Sequence, residues 1–197
     1  MKRLLIILLL LTLLSHISTI IADETSENHT KLLIRKRHIK LNFFWHNRFS
    51  QPNPTAVVVA QSPTSNDSPT GFGTVNVFDD PLTIGSNESS PLIGWSQGTY
   101  IMTDQNKYAA LMAMTLIFVQ GEFKGSTLAV LGRNELLSKV RELPIVGGTG
   151  LLRSASGYCM LNTFDKENAN HYAVVQYQCD VFYKRYLEST TDFPFTN

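Results

Sequence analysis

A succession of short apolar runs, each bounded by turn-forming residues, most constrains how this chain can fold. From Leu41 onward the runs are rich in β-branched and aromatic residues, and Gly, Pro, Asn and Ser separate them. This pattern is typical of β-strands, and no segment after the first 22 residues shows a convincing helical stripe. The sequence predicts eight strands, near residues 40–48, 55–61, 72–79, 92–102, 108–119, 125–133, 151–163 and 172–183.

Eight sequential strands most simply close into an antiparallel barrel, because closure removes the exposed edges of an open sheet. The predicted fold class is therefore all-β, an eight-stranded antiparallel β-barrel with a central ligand pocket. The fourth strand carries Gly94, Ser96, Gly98, Tyr100 and Met102 on one face. Three small residues on that face either leave space for a ligand or relieve crowding at a tight bend, and the sequence supports both interpretations.

The predicted strand at 108–119 is apolar on both faces, with Met112 and Leu116 on one side and Leu111 and Ile117 on the other. The outside of a single antiparallel barrel should be more polar, so this strand indicates an outer face covered by a second copy of the chain. A buried helix is the competing interpretation. We expect a homo-oligomer.

A glycine-rich bend follows the sixth predicted strand. The segment from residue 134 to 150 carries Asn134, Arg141 and the sequence Gly147-Gly148-Thr149-Gly150, and we interpret it as a loop that ends in a sharp reversal. A phosphate-binding loop would need a Lys directly after its second Gly and a helix behind it, and neither is present.

The N-terminus predicts secretion. A basic start, Met1-Lys2-Arg3, precedes an apolar run that is too short to span a bilayer, as in a signal peptide. We divide the chain into a signal peptide at 1–22, a flexible arm at 23–39, a barrel domain at 40–186 and a tail at 187–197. Lys plus Arg is 17 and Asp plus Glu is 16, a balance that implies no nucleic-acid partner, and no membrane association is predicted.

Secretion bears on the cysteines and on the glycosylation sequons. Cys159 and Cys179 fall on the last two predicted strands, where they either form a disulfide or remain two buried thiols, because a one-residue change of register turns one of them away. Sequons occur at Asn28, Asn66 and Asn87, all in predicted loops or tails, so we expect a glycoprotein.

The polar residues offer little independent chemistry. The five His are scattered without metal-binding spacing, so no metal and no other cofactor is predicted. Adjacent Asp79 and Asp80 would point to opposite sides of a strand, and Asp79 is best explained as a cap for the turn at Pro81. Arg141 could form a surface ion pair, and Tyr100 could bind a phenol or fill the core.

Several blocks carry a resemblance to a known family. They are residues 72–83 (FGTVNVFDDPLT), 97–100 (QGTY), 125–134 (GSTLAVLGRN) and 146–150 (VGGTG), with Gly157-Tyr158 after them. In order and spacing, from about Leu41 to Tyr183, the chain resembles the plant dirigent family. The resemblance implies a secreted eight-stranded barrel, trimeric in members of known structure although a dimer is possible, with one pocket per subunit.

The resemblance also implies chemistry. Members of the lignan branch bind two phenoxy radicals, made from coniferyl alcohol by a separate laccase or peroxidase, and orient them so that coupling gives one stereoisomer. A related branch, similar to pterocarpan synthases, removes water from an isoflavanol through a quinone methide and is a lyase. The sequence of residues 131–142 resembles members of that branch more than the lignan branch.

Site residues follow position by position. Tyr100 and Arg141 match the family's pocket Tyr and Arg. The family's His-Asp pair on the first strand is His46-Asn47 here, and Asn134 stands where lignan-forming members often carry Asp. Asn can hydrogen-bond a phenol but is no general acid or base near neutral pH. The predicted substrate-binding set is completed by Asp80, Met102 and Phe43.

Three functions remain as hypotheses. The first is a dirigent protein of the apoplast or cell wall that controls the stereochemistry of phenoxy radical coupling. The second is an isoflavanol dehydratase, in which Arg141 and Tyr100 polarise the leaving hydroxyl. The third is a defence-associated binding protein without chemistry. Whether the chain is an enzyme is left open by the sequence.

Overall fold

The computed structural model describes residues 33–50, 52–165 and 172–187, and this part of the chain is all-β with two short 3-10 helices at Ser65–Asp67 and Gly150–Leu152. The residues from Arg35 to Arg185 form one compact unit. The strands are β1 (Leu33–Arg48), β2 (Ala56–Ala60), β3 (Val75–Thr83), β4 (Leu92–Met102), β5 (Ala109–Phe118), β6 (Thr127–Glu135), β7 (Arg141–Thr149), β8 (Ser156–Asp165) and β9 (Tyr172–Leu187).

Eight of these strands close into an antiparallel barrel. They neighbour one another in the order β1-β9-β8-β7-β6-β5-β4-β3, and β3 pairs with β1 to complete the ring. The ninth strand, β2, adds to the edge of β3 outside the ring. The predicted eight-stranded antiparallel barrel is therefore confirmed, but its membership differs, because the predicted strand at 55–61 is not part of the ring.

The strand β7 takes the place in the ring that the predicted strand at 55–61 does not fill. The sequence predicts a loop for this segment, and that prediction is wrong. Pro144 and the pair Gly147-Gly148 are residues that normally argue against a central strand. The register between β6 and β7 runs from Thr127–Thr149 to Val130–Ile145, and Pro144 lies beyond it, paired with Tyr158 of β8. A proline without a donor is tolerated there. The bend moves to the 3-10 helix at 150–152, and β8 begins at Ser156 and not at 151.

The faces of β5 are as predicted, and the competing interpretation of a buried helix is wrong. Met112 and Leu116 are buried inside the barrel, whereas Leu111 on the outside is 37% exposed. In register with this outer face lie Val77 of β3 and Leu131 of β6, which are 43% and 45% exposed. Ile101 of β4 pairs with Leu111, so an apolar surface crosses the four strands β3 to β6 on the outside of the barrel.

The small residues of β4 relieve crowding. A Cβ at Gly94 would lie 2.0 Å from the carbonyl oxygen of Ile117, and one at Gly98 would lie 2.2 Å from that of Ala113. No side chain fits so close to the backbone of β5. Of the inward face of β4, Tyr100 alone lines the cavity described below.

Cys159 of β8 and Cys179 of β9 form a disulfide, which decides between the two alternatives left open by the sequence. The two residues are directly opposite in the register, with 3.9 Å between their α-carbons, and both are fully buried. The bond joins the two strands across a separation of 20 residues.

Several predicted segments lie outside the described residues: the signal peptide at 1–22, most of the arm at 23–39, the sequon at Asn28 and nearly all of the tail. β1 begins at Leu33, whereas the sequence predicts a strand only from residue 40. Among the described residues, no helix has the length and apolarity needed to cross a membrane.

The contact between Gly98 and β5 predicts a large effect of a single methyl group. We expect Gly98→Ala to lower the free energy of unfolding by about 1–3 kcal/mol, because the new Cβ must displace the backbone of β5. Gly147→Ala is the matched control, since a Cβ there meets nothing within 4 Å. Urea denaturation of both variants measures the difference. Equal stability of the two variants would contradict the proposed crowding.

Candidate functional site

A cavity of about 570 Å³ opens at the end of the barrel that carries the β4–β5 and β6–β7 connections. Its wall is largely aromatic and aliphatic, as in most small-molecule sites. The aromatic lining residues are Trp45, Phe49, Tyr100 and Tyr108, and the polar ones are Ser138, Lys139, Arg141, Asn162 and Thr163. The opposite half of the barrel is filled by side chains that include Leu116, Leu128, Leu152 and Val181.

Arg141 is the first residue of β7 and reaches into this cavity. Its residue surface is only 6% exposed, so the interpretation of Arg141 as a member of a surface ion pair is wrong. One terminal nitrogen, Nη2, donates to the hydroxyl of Thr163 at 2.8 Å, and Nη1 lies 3.5 Å from Oδ1 of Asn134. The Nε atom has no hydrogen-bond partner within the described part of the chain. Burial lowers the pKa of Arg141 because the charged form loses its solvation.

Asn134 lies behind Arg141 on β6 and is almost fully buried. The structure brings these two predicted residues together, although Asn134 itself does not line the cavity. Its amide oxygen accepts from the guanidinium and carries no net charge. The neutral side chain therefore accepts a hydrogen bond from the guanidinium without compensating its positive charge.

Tyr100 lines the cavity from β4 and stacks on Phe78, with 5.9 Å between ring centroids. Burial raises the pKa of Tyr100 well above its ordinary value of 10, and the nearby carboxyl of Asp80 adds to that shift. The phenol therefore stays protonated at neutral pH. It can donate a hydrogen bond to a ligand oxygen.

Asn47 and Asp80 contact each other outside the cavity lining. Nδ2 of Asn47 donates to Oδ2 of Asp80 at 2.6 Å, and both residues are fully buried. Among the described residues, no donor lies in hydrogen-bonding geometry to Oδ1 of either side chain, although Thr55 and Trp45 lie near the Asp80 carboxyl. Burial raises the pKa of the Asp80 carboxyl to about 7, although polar groups of Thr55, Asn47 and Trp45 oppose that shift.

His46 faces the opposite side of β1 and is neutral. The Thr83 hydroxyl donates to the carbonyl oxygen of Gly85 at 2.6 Å, so its oxygen must accept from Nε2 of His46, also at 2.6 Å. Nδ1 is then unprotonated and accepts from the hydroxyl of Tyr172. Burial lowers the pKa of His46, in agreement with a neutral ring.

The remaining predicted site residues lie in the core. Phe43 stacks on Tyr177, with 5.4 Å between ring centroids, and Met102 is buried at the end of β4. Neither is among the residues that line the cavity. Of the described residues, no group of three or more His, Cys, Asp or Glu is arranged to hold a metal ion.

Sequence reasoning missed several lining residues. Trp45 lies two positions before Asn47 on the same face of β1, so alternation could have identified it. Lys139 and Thr163 carried no usable signal, because their proximity to Arg141 depends on the strand that was predicted as a loop. The sequons at Asn66 and Asn87 lie on exposed positions, and their glycosylation stays a prediction.

The chain is similar in sequence and in fold to known proteins. The profile of the family described as "Dirigent-like protein" matches residues 38–182. Dirigent protein 21 of Arabidopsis thaliana is 46% identical over 143 residues, which cover 73% of this chain and 76% of that protein. Pterocarpan synthase 1 of Glycine max is 41% identical over 147 residues, covering 74% and 78%. A solved structure of a pterocarpan synthase dirigent protein matches with a TM-score of 0.69 and 40% identity, covering 75% of this chain and 89% of that one.

The buried carboxyl of Asp80 predicts a pH-dependent stability. The unfolded chain releases the proton near 3.8, whereas the folded chain retains it to about 7. The stability contributed by protonated Asp80 is therefore complete below pH 4 and is lost as the pH rises toward 7, by at most about 1.4 kcal/mol per unit of pKa shift. His46 has the opposite effect. Because its folded pKa is lowered, the free energy of unfolding that it contributes falls as the pH drops below 6.5, its unfolded pKa.

The variant Asp80→Asn removes the titration of residue 80 and leaves that of His46, so it separates the two contributions to stability. We expect the difference in unfolding free energy between the wild type and this variant to change by more than 1 kcal/mol (about one pKa unit) between pH 4 and pH 8. Urea denaturation at intervals of pH measures it, and Asp79→Asn controls for the loss of one negative charge at the exposed neighbour. A difference that is constant with pH would show that the carboxyl titrates normally.

Proposed function

This chain belongs to the dirigent family, and we propose that it orients phenoxy radicals derived from monolignols such as coniferyl alcohol, so that their coupling yields one stereoisomer. A separate laccase or peroxidase removes one electron and one proton from each phenol. Two radicals then combine their unpaired electrons in one new covalent bond, and no electron passes to the protein. The contribution of the chain is position and orientation.

The wall chemistry of the cavity carries this proposal. Aromatic side chains such as Trp45 and Tyr108 offer faces and edges on which phenolic rings pack. Tyr100 and Arg141 supply hydrogen-bond donors that fix a ring by its oxygen. Among the described lining residues none is a carboxylate, and the amides of Asn47 and Asn134 transfer no protons near neutral pH. Radical coupling suits such a site, because forming the bond needs alignment and not a proton carrier.

A dehydratase acting on an isoflavanol is the second candidate. The observation that favours it is the presence of two donors, Tyr100 and Arg141, in one cavity. Loss of water breaks a carbon–oxygen bond, and the departing hydroxyl must gain a proton while a phenolic proton leaves to give the quinone methide. The neutral phenol of Tyr100 and the guanidinium of Arg141 could polarise that hydroxyl. Relatives named pterocarpan synthases support this candidate.

The outer apolar surface supports a further part of the proposal. We propose that the chain is secreted to the apoplast, on the strength of the predicted signal peptide, and that it forms a homo-oligomer through the outer face of β3 to β6. Val77, Leu111 and Leu131 are all more than one third exposed on that face. A second copy with the same face would cover them, because apolar surfaces that match themselves associate symmetrically.

The first test is a coupling reaction. We expect coniferyl alcohol and a laccase to give a racemic product alone and an enantiomeric excess when the protein is added, rising with protein concentration. Arg141→Leu should abolish most of the excess, because the substrate loses its principal donor. Chiral chromatography measures the products, and an isoflavanol reaction without oxidase runs in parallel.

Arg153→Leu is the matched control for this reaction. Arg153 is exposed in the turn after the 3-10 helix at Gly150–Leu152 and lines neither the cavity nor the outer face of β3 to β6, so its loss should leave the enantiomeric excess intact. Racemic coupling together with conversion of the isoflavanol would favour the dehydratase. Racemic coupling without conversion would leave a binding protein, the third hypothesis drawn from the sequence.

The second test concerns assembly. We expect Leu131→Lys to convert the oligomer to a monomer, because a buried lysine in an apolar interface has no partner for its charge. Phe164→Lys is the control, since Phe164 is 57% exposed on β8, away from β3 to β6. Light scattering coupled to gel filtration gives the masses. A wild-type chain that is already monomeric would refute the interface.

A further inference from the structure

We infer that the cavity selects aromatic ligands that carry an oxyanion, and that Arg141 binds this negative charge directly. The inference rests on the proposed function only in that the cavity holds a phenolic ring, and it adds a preference within that class for charged compounds over neutral ones such as coniferyl alcohol. Two sources share the chemistry: an aromatic carboxylate and an ionised phenol. Both present a negatively charged oxygen next to an aromatic ring.

Arg141 has no counter-ion within the described part of the chain. Its hydrogen-bond partners are the hydroxyl of Thr163 and the amide oxygen of Asn134, and both are neutral. No ion pair within the described part of the chain involves this guanidinium. The Nε atom is buried, and no described residue accepts a hydrogen bond from it. A buried cation in this state is costly unless an anion approaches it.

The charge of the rest of the cavity has the same sign. Lys139 lines the same space from an exposed position, so the lining contributes one buried and one exposed cation and, among the described residues, no carboxylate. Glu142, the carboxylate next in sequence to Arg141, is exposed. Asp80 is held by Asn47 and does not line the cavity. The wall is therefore electropositive, and low-dielectric surroundings strengthen its attraction for an anion.

The neutral amide of Asn134 controls how much of the charge of Arg141 is left for a ligand. A carboxylate at this position would lie within about hydrogen-bonding distance of Nη1, given that the amide oxygen is 3.5 Å away. It would neutralise the guanidinium from the side away from the cavity. An anionic ligand would then gain much less binding free energy from Arg141. The neutral amide leaves the full charge of Arg141 to the ligand. Asn134 thus acts as the residue that sets the charge preference of the cavity.

The cavity wall also suits an aromatic ring. Tyr100 and Tyr108 line the cavity together with Trp45, and Arg141 reaches the same space from β7. A ring placed among these side chains can direct an oxygen at the guanidinium, which binds oxyanions through a fork of donors. Aliphatic anions would lack the ring contacts.

The test measures binding without turnover. The probes are 4-methoxycinnamate and 4-methoxycinnamyl alcohol, which share a ring and differ in charge, and whose methyl ether prevents radical formation. We expect the carboxylate to bind at least about tenfold more tightly than the alcohol by calorimetry. Added salt should weaken the binding of the carboxylate and leave the binding of the alcohol unchanged. A parallel pair, 4-nitrophenolate and 4-nitroanisole, distinguishes an ionised phenol from a carboxylate as the source of the charge.

Two variants of one residue isolate the charge. Asn134→Asp should lower the affinity for the carboxylate by about tenfold or more while the alcohol binds as before. Asn134→Leu has the same branched side-chain shape, also loses the amide, and should keep the preference for the anion. Circular dichroism confirms that both variants fold.

The outcomes are distinct. Equal affinity of the wild type for charged and neutral members of both pairs would overturn the inference and leave the proposed function standing. Equal loss of preference in Asn134→Asp and Asn134→Leu would overturn the role of charge at this position. If none of the four probes binds, the cavity is not a phenolic site, and the proposed function falls together with the inference.

Discussion

The pairing of β1 with β3 is the contact on which the interior of this protein depends, because it turns an open sheet into a closed barrel. The register there comprises only two residue pairs, Phe44–Thr83 and Trp45–Leu82. Side chains on both faces of β1 reinforce it. His46 donates to Thr83, and Asn47 donates to Asp80, so two further bonds join the same two strands. Without this junction the cavity would have no wall on the side of Trp45.

Closure also explains why the interior tolerates unusual polar groups. Closure of the barrel buries Asp80 completely and leaves Arg141 only 6% exposed at the wall of the cavity. The carboxyl responds by a raised pKa, which keeps a proton close to neutral pH. The guanidinium cannot lose its proton in this range and remains charged. One buried group is thus neutralised by protonation, whereas the other depends on what enters the cavity.

Much of this arrangement followed from the sequence, and the part that did not has a physical cause. Alternation along β4 and β5 gave the inward faces correctly, because side chains of a strand point to opposite sides with a strict period of two. Alternation could not reveal β7, since Pro144 and Gly147 obscure it. Tyr100 was placed on the pocket face by its own strand. Arg141 could be placed only by resemblance, as its position depends on how β7 meets β8.

The two asparagines Asn47 and Asn134 have different physical roles in this structure. Asn47 belongs to the junction of β1 and β3, where its amide supplies a donor that a carboxylate lacks. An aspartate there would face Asp80 at hydrogen-bonding distance, and two buried carboxyls so close must share a proton. Asn134 lies beside Arg141, where its neutral amide adds no negative charge to the neighbourhood of a ligand. Asn47 therefore acts on how the barrel closes, and Asn134 acts on what the cavity attracts.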